Sequence, residues 1–257
     1  MNTILFRPNL ETEEELKIAS KYFNVHQTRA SIPAKSLIIP RYSALPYYKE
    51  LEQDTIILKS SLINSYHQFQ WIADFEYYNE LQNFTFKTYF DPKVLPDKAF
   101  VVKGKTNSRK HQWKTQCFAE NKRRAIEIYC ELKNDGLIGA QDIIFREYEP
   151  LVTFETLAND LPVTNEFRFF FYKNIELCHG YYWSCAEYPE KGQLDKNALK
   201  MVQNIADLAS QYNNFFVIDI AQKTNGDWVM VELNAGEMSG LSLCDPNELY
   251  CNLGKLI

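Results

Sequence analysis

The sequence has no long hydrophobic run. Its longest apolar stretches, such as residues 215–218, have the length of a strand, far below the roughly 20 residues that span a bilayer. Residues 1–7 carry neither a basic leader nor a long apolar region. We therefore expect no membrane segment, no signal peptide and a cytoplasmic protein.

Metal-ligand and disulfide patterns are also missing. The six cysteines form no CxxC pair, and the four histidines show no metal-ligand spacing, so we expect reduced, buried thiols and no zinc site. The net charge of −5, from 28 basic and 33 acidic residues, gives no electrostatic footprint for nucleic acid. With nine Gly and ten Pro in 257 residues, the composition is that of a globular protein.

The first third of the chain alternates short strands with helices. Strands are predicted over 4–6, 36–39 and 55–58, and helices over 13–23 (capped by Thr12), 46–53 and 64–81. This alternation is typical of a small α/β unit with a mainly parallel sheet. A proline-bearing stretch around 91–97 marks the boundary, which predicts domains over residues 1–95 and 96–257.

The rest of the chain combines hairpins with long helices. Strands are predicted over 100–103, 143–148, 166–172, 175–183, 215–222 and 227–233, and helices over 117–134 and after the capping residue Asp195. This mixture is α+β in character and favours an antiparallel sheet with helices on one face.

One predicted hairpin brings two carboxylates together. Asn225-Gly226 is a strong two-residue turn signal. Counting outward from it places Asp219 opposite Glu232. The same count pairs Ile218 with Leu233 and Ile220 with Val231, so one face of the hairpin is aliphatic.

The other face of the hairpin collects oxygen ligands. Asp219, Glu232 and, two residues on, Asn234 share it with the apolar Val217, Ala221 and Met230. Two carboxylates about 5 Å apart repel each other unless a proton or cation lies between them. Three hard donors of this kind suit Mg²⁺. The alternative is a pair of exposed carboxylates separated by solvent.

Cations precede this hairpin in the chain. Lys103 continues a strand into a short polar loop that contains Lys105, Ser108 and Lys110, a pattern that can cradle phosphate. A solvated basic loop is the alternative. Arg168 lies within the apolar strand 166–172, where it shares a face with Glu166 and could simply pair with it.

Five ordered blocks carry a family resemblance: residues 63–66 (INSY), 103–110 (KGKTNSRK), 145–151 (FREYEPL), 166–168 (EFR) and 232–241 (ELNAGEMSGL). Together they resemble the ATP-grasp superfamily, and within it the divergent clade named for two arginines and a lysine. The resemblance implies a Rossmann-like α/β unit followed by an α+β ATP-grasp fold, whose two subdomains clasp ATP.

The resemblance also implies roles for residues. Lys103 and Arg168 would act on the transferred phosphate and bind nucleotide. The further nucleotide contacts would be Lys105, Ser108, Lys110 and the adenine-reading hinge of Arg146, Glu147, Tyr148 and Glu149, and the Mg²⁺ ligands would be Asp219, Glu232 and Asn234. Which of Lys105 and Lys110 supplies a second phosphate contact stays open.

ATP-grasp proteins usually phosphorylate a carboxylate and let an amine displace the phosphate. The resemblance therefore implies an ADP-forming carboxylate–amine ligase that uses ATP and Mg²⁺, acts through an acylphosphate, and takes a peptide, protein or amino acid as substrate. Two alternatives stay open: an ATP-binding assembly factor for a protein partner, and a phosphotransferase. No nucleic acid or membrane partner is expected.

Overall fold

A computed structural model describes residues 2–7, 13–187 and 192–257 of the chain. The predicted helix cap Thr12 lies outside the described residues. Within them, no helix is both long enough and apolar enough to cross a membrane.

The leading unit alternates strands and helices around a parallel sheet. Its elements are β1 (Thr3–Phe6), α1 (Glu13–Ala19), β2 (Asn24–His26), β3 (Leu37–Arg41), α2 (Tyr48–Ile57), β4 (Ser61–Leu62), α3 (Tyr66–Ala73) and α4 (Tyr78–Leu81). The strand order is β2-β1-β3-β4, and every pair is parallel. The predicted α/β unit is confirmed.

Two antiparallel sheets follow. The first contains β5 (Thr88–Tyr89), β6 (Phe100–Gly104), β7 (Phe118–Ala119) and β8 (Ile143–Glu147) in the order β5-β8-β6-β7, with helices α5 (Trp113–Gln116) and α6 (Lys122–Lys133). After the hairpin of β9 (Thr153–Thr156) and β10 (Pro162–Thr164), the second contains β11 (Glu166–Tyr172), β12 (Ile175–Tyr181), β13 (Phe215–Gln222) and β14 (Trp228–Ala235) in the order β12-β11-β13-β14, with helices α7 (Lys196–Ala209) and α8 (Pro246–Leu256). The predicted α+β character is confirmed.

The strand predicted over 55–58 is wrong, because these residues form the end of α2 and the turn after it. Tyr48, Leu51 and Thr55 are buried at helical spacing, whereas Ile56 and Ile57 are 62% and 79% exposed. A short apolar run does not distinguish a strand from a helix by its periodicity. The strand that pairs with β3 is β4.

The helix predicted over 64–81 is two helices. Ser65 caps α3 in a capping box with Gln68, and Phe75, with a φ of 62°, interrupts the helical path before α4. The helix predicted over 117–134 starts later, because Phe118–Ala119 pairs with β6 and Asn121 caps α6. The division at residue 95 stays a prediction; β5 lies before it and pairs with β8.

The last sheet has a covered face and a partly open face. Ile218, Ile220 and Leu233 belong to a core shared with α7. On the opposite face, Val217 packs into a core shared with α8 and the leading unit. Farther along this second face, around Asp219, a cavity opens between the two antiparallel sheets.

Candidate nucleotide-binding site

The cavity holds about 970 Å³ of empty space, part of which is open to solvent. Both antiparallel sheets line it. Of the predicted site residues, the lining includes Lys103, Ser108, Lys110, Arg146, Glu147, Tyr148, Glu149, Asp219 and Glu232. Arg168 and Asn234 are hydrogen-bonded to that lining, whereas Lys105 is not brought to it. Residues from distant parts of the chain therefore meet around one space.

Asp219 does face Glu232 across β13 and β14, but the turn is not the predicted one. The Lys223 N–H donates to the Asp227 carbonyl and the Gly226 N–H to the Lys223 carbonyl, so the loop is one residue longer than a two-residue turn. A bulge after Asp219 then restores the register, because Ile220 pairs with Met230 rather than with Val231. The two irregularities offset each other.

The bulge also corrects the predicted composition of the carboxylate face. Met230, expected beside Asp219, belongs to the core on the opposite face with Ile220. Val231, the extra residue, lines the cavity, and its carbonyl accepts a hydrogen bond from the Arg146 guanidinium. The carbonyl thus finds a partner across the cavity, in the other antiparallel sheet.

The sequence alone suggests that the two carboxylates repel each other. In the structure, each carboxylate is instead paired with a cation. Arg168 donates two parallel hydrogen bonds to Asp219, Nε to Oδ1 at 2.9 Å and Nη2 to Oδ2 at 2.8 Å. Lys103 forms an ion pair with Glu232. Burial alone would raise the pKa of Glu232, but the Lys103 ammonium, together with Arg146 and Asn234, outweighs burial and the pKa is lowered. Each of these two predicted metal ligands is thus neutralised by a predicted phosphate ligand.

Asn234 completes the acidic group. Its Nδ2 donates to Asp219 Oδ2 at 3.1 Å and to Glu232 Oε2 at 3.3 Å, so the three side chains converge. In the described part of the chain, no cluster of three or more Asp, Glu, His and Cys side chains could hold a metal. Two carboxylates and an amide fit Mg²⁺, which keeps water ligands and takes others from phosphate. The metal role stays a prediction.

The loop after β6 separates its two lysines. Lys105 Nζ lies 2.8 Å from Asp142 Oδ2, and Lys105 stays outside the cavity lining. Lys110 lines the cavity, and its Nζ donates to the hydroxyl of Tyr182. Gln141 anchors the loop by accepting from the Thr106 N–H at 3.1 Å. A Cβ at Gly104 would lie 2.6 Å from Gln141 Oε1, so a larger residue there would displace the Gln141 side chain.

The predicted hinge lines the cavity, but local contacts hold its side chains. Arg146 reaches the Thr85 hydroxyl, and its Cζ lies 5.1 Å from the centre of the Phe86 ring. Glu147 pairs with Lys98 at 2.8 Å and Glu149 with Lys223 at 3.2 Å. The N–H groups of Glu147 and Tyr148 already donate to the backbone carbonyls of residues 87 and 99. A base at the hinge therefore has to use other backbone groups.

Glu166 lines the cavity, whereas the sequence suggests it only as a partner of Arg168. That pairing is wrong, because Arg168 pairs with Asp219. Glu166 accepts from the Thr164 hydroxyl at 3.0 Å, and burial, followed by the charge of Asp219, raises its pKa to about 7. Alternation along β11 places Glu166 on the face of Arg168, and this signal could have identified it.

Tyr182 also lines the cavity. In the sequence it lies in the predicted strand over 175–183. Its ring centre lies 4.8 Å from the Arg168 guanidinium and 4.6 Å from the Lys110 ammonium. No local pattern predicts this arrangement, because it depends on how the two sheets pack against each other.

The cavity lies between two antiparallel sheets, and the family match of the chain identifies its class: this is an ATP-grasp protein. Residues 94–253 match the model of an ATP-grasp domain family, the third family of the clade named for two arginines and a lysine. The chain belongs to that family, and the resemblance seen in the sequence is confirmed. No curated protein sequence matches the chain.

Solved structures share the fold over nearly the whole chain. D-cycloserine synthetase DcsG superposes with a TM-score of 0.63 at 11% identity, covering 100% of this chain and 99% of that one. The ATP-grasp ligase PsnB, in complex with minimal precursor, Mg and ADP, gives 0.53 at 12% identity over 92% and 90% of the two chains. Macrocyclase MdnC from Microcystis aeruginosa MRC, bound to precursor peptide MdnA, gives 0.56 at 8% identity over 100% and 98%. The likeness at this identity is one of fold.

Proposed function

We propose that the protein is an ATP- and Mg²⁺-dependent carboxylate–amine ligase that forms ADP and works through an acylphosphate on a peptide, protein or amino acid. The observation that carries the proposal is the pairing of charges in the cavity. Lys103 with Glu232 and Arg168 with Asp219 are each a cation for phosphate beside an oxygen ligand for a metal. Solved structures with this fold include an ATP-grasp ligase in complex with its minimal precursor and a macrocyclase bound to its precursor peptide.

The proposal assigns each part of the nucleotide to a region of the cavity. Apolar side chains of Val101, Leu151 and Val231 line the wall near the hinge, where adenine would lie. Glu166 lines the cavity on the same strand as Arg168, two residues before it. Its carboxylate can accept from ribose hydroxyls. The phosphates then reach Lys103, Lys110 and Arg168.

The proposed reaction has two steps, and two cations of the cavity would change partners during it. The substrate carboxylate attacks the γ-phosphorus and ADP leaves; the amine then attacks the acyl carbon and phosphate leaves. Lys103 and Arg168 would turn from their carboxylate partners to phosphate oxygens, and Lys110 would meet the phosphates from its place beside Tyr182, which stabilises the charge of the transferring group. Asp219, Glu232 and Asn234 would hold Mg²⁺, which neutralises phosphate charge when bound. No side-chain nucleophile is needed.

Phosphate release tests the proposal. Purified protein, ATP and Mg²⁺ are incubated with a panel of amino acids and peptides, and ADP, AMP and product are measured. ADP production that needs one acid and one amine supports the ligase. AMP production contradicts the proposed chemistry, and tight ATP binding with no turnover on any pair favours an assembly factor.

The two loop lysines provide a matched comparison. Lys110→Ala should reduce the rise in melting temperature caused by Mg²⁺-ATP, because the nucleotide stabilises the native state according to its affinity. Lys105→Ala removes the same charge from the same loop outside the cavity lining and should leave most of that rise. The reverse result would assign the phosphate contact to Lys105.

A further inference from the structure

Tyr182 joins two cations from different parts of the fold. It follows β12 and lines the cavity, where its hydroxyl accepts from Lys110 Nζ. The Lys110 ammonium lies 4.6 Å from the ring centre and the Arg168 guanidinium 4.8 Å. Lys110 lies in the loop after β6 and Arg168 lies on β11, so one aromatic side chain contacts cations that belong to the two antiparallel halves of the site.

Lys110 differs from Lys103 and Arg168, the other two proposed phosphate ligands, in having a neutral partner. Lys103 and Arg168 are paired with Glu232 and Asp219. In the described ranges, Lys110 has no carboxylate within ion-pair distance. Burial alone lowers its pKa, but Tyr182, followed by the more distant Glu166 and Glu232, outweighs burial and raises it. The ammonium therefore stays charged.

We propose that Tyr182 is a positioning residue that holds the Lys110 ammonium ready for the phosphates of ATP. The inference rests on the proposed function, since it assigns that phosphate contact to Lys110. A free lysine side chain loses rotamer entropy when it is fixed. The phenol hydroxyl and ring fix it before the nucleotide arrives.

A neutral partner suits this task better than a carboxylate. An incoming phosphate does not have to displace a negative charge from Lys110, as it must from Lys103. The ring also lies against Arg168, but that guanidinium is already held by Asp219 and by the Gly240 carbonyl at 2.7 Å. The effect of Tyr182 on ATP should therefore run mainly through Lys110.

A double-mutant cycle tests this assignment. Affinities for Mg²⁺-ATP and for adenosine are measured by calorimetry for the wild type, Tyr182→Phe, Tyr182→Leu, Lys110→Met and Tyr182→Leu/Lys110→Met. We expect Tyr182→Leu to weaken ATP binding roughly fivefold to tenfold, as loss of one cation–π contact and one hydrogen bond predicts. Tyr182→Phe, which keeps the ring, should recover about half of that loss on a logarithmic scale.

Two further results are expected. Tyr182→Leu should change ATP affinity less than about twofold in the Lys110→Met background, because non-additivity reports a shared interaction. Adenosine, which has no phosphate, should bind equally to the wild type and all four variants. A purely structural role would weaken adenosine binding as well.

Other outcomes overturn the inference. Additive losses in the cycle, or parallel losses for ATP and adenosine, would show that Tyr182 does not act through Lys110. If Tyr182→Leu does not fold, equal ATP affinities of the wild type and Tyr182→Phe, which removes only the hydroxyl, reject its hydrogen bond as the positioning contact. A wild type that binds no Mg²⁺-ATP contradicts the proposed function itself, which keeps the two failures distinct.

Discussion

Asp219 and Arg168 form a buried ion pair whose members depend on each other. Removing one charge leaves the other without compensation inside the protein. We expect Asp219→Asn to lower the free energy of unfolding by about 3 kcal/mol in the absence of nucleotide, although the sequence alone suggests that relief of repulsion would preserve stability. Urea unfolding measures this difference.

The control for this variant lies on the same hairpin. Asp227 is exposed in the turn, so Asp227→Asn should change the free energy of unfolding by less than about 0.5 kcal/mol. If Asp219→Asn is as stable as this control, the Arg168 guanidinium is solvated through the cavity, and the ion pair contributes little to the fold.

Glu166 should make stability depend on pH. Its pKa is raised from 4.5 to about 7, mainly by burial, so the folded state keeps a proton that the unfolded state releases. Stability contributed by the protonated form is therefore lost as the pH rises from about 4.5 to 7. The free energy of unfolding of Glu166→Gln, measured relative to that of the wild type, should rise by up to about 3 kcal/mol between pH 4 and pH 8.

The measurement is urea unfolding of both proteins at several pH values. The difference in the free energy of unfolding between the two proteins isolates Glu166, since they share all other titrating groups. A constant difference between the wild type and Glu166→Gln across this range would show that Glu166 ionises at its ordinary pKa and that water reaches it from the cavity.

At the scale of elements, the hairpin of β13 and β14 depends on one glycine. Gly226 has a φ of 93°, and a Cβ there would meet no atom within 4 Å. The cost of Gly226→Ala is therefore conformational only, and we expect a loss of about 1 kcal/mol in the free energy of unfolding.

Gly136→Ala is the matched control for the turn. A Cβ at Gly136 also meets nothing within 4 Å, and its φ is not positive. This variant should be neutral or slightly stabilising, because alanine restricts the unfolded chain. Equal effects of the two substitutions in thermal unfolding would show that the turn at residue 226 relaxes without strain.

At the scale of the whole molecule, Asn64 joins the leading unit to the last sheet. Its Nδ2 donates at 2.8 Å to both the Phe215 carbonyl and Glu237 Oε1. Its Oδ1 accepts from the N–H groups of Asn214 and Phe215 at 2.9 and 3.0 Å. Asn64→Ala would remove the acceptor of these two N–H groups, whereas the carbonyl and the carboxylate each keep another donor, so we expect a loss of about 3 kcal/mol in the free energy of unfolding.

Calorimetry checks this prediction, with the exposed Asn79→Ala on α4 as a control that should be nearly neutral. We expect the Asn64 variant to melt at a lower temperature in one transition. A second, separate transition would mean that the leading unit unfolds alone. An unchanged melting temperature would mean that the hydrogen bonds of Asn64 contribute little to the stability of the fold.

Much of this protein could be predicted from local patterns. The spacing of apolar residues and the helix-capping residues identified most helices and strands. The five ordered sequence blocks identified the ATP-grasp family. Local patterns failed at residues 55–58, where buried Leu51 and Thr55 follow a helical rather than a strand period. The pairing of Asp219 with Glu232 was correct, but only because a longer turn and a bulge offset each other.

The sequence by itself thus determined which segments form the two kinds of unit and which residues carry the charges. Only the tertiary structure decided which charges meet. Arg168 reaches Asp219 because β11 lies beside β13, and Lys110 rather than Lys105 reaches the cavity because Gln141 and Tyr182 hold its loop. These contacts join residues far apart in the chain, and their energies depend on packing between sheets that no local period encodes.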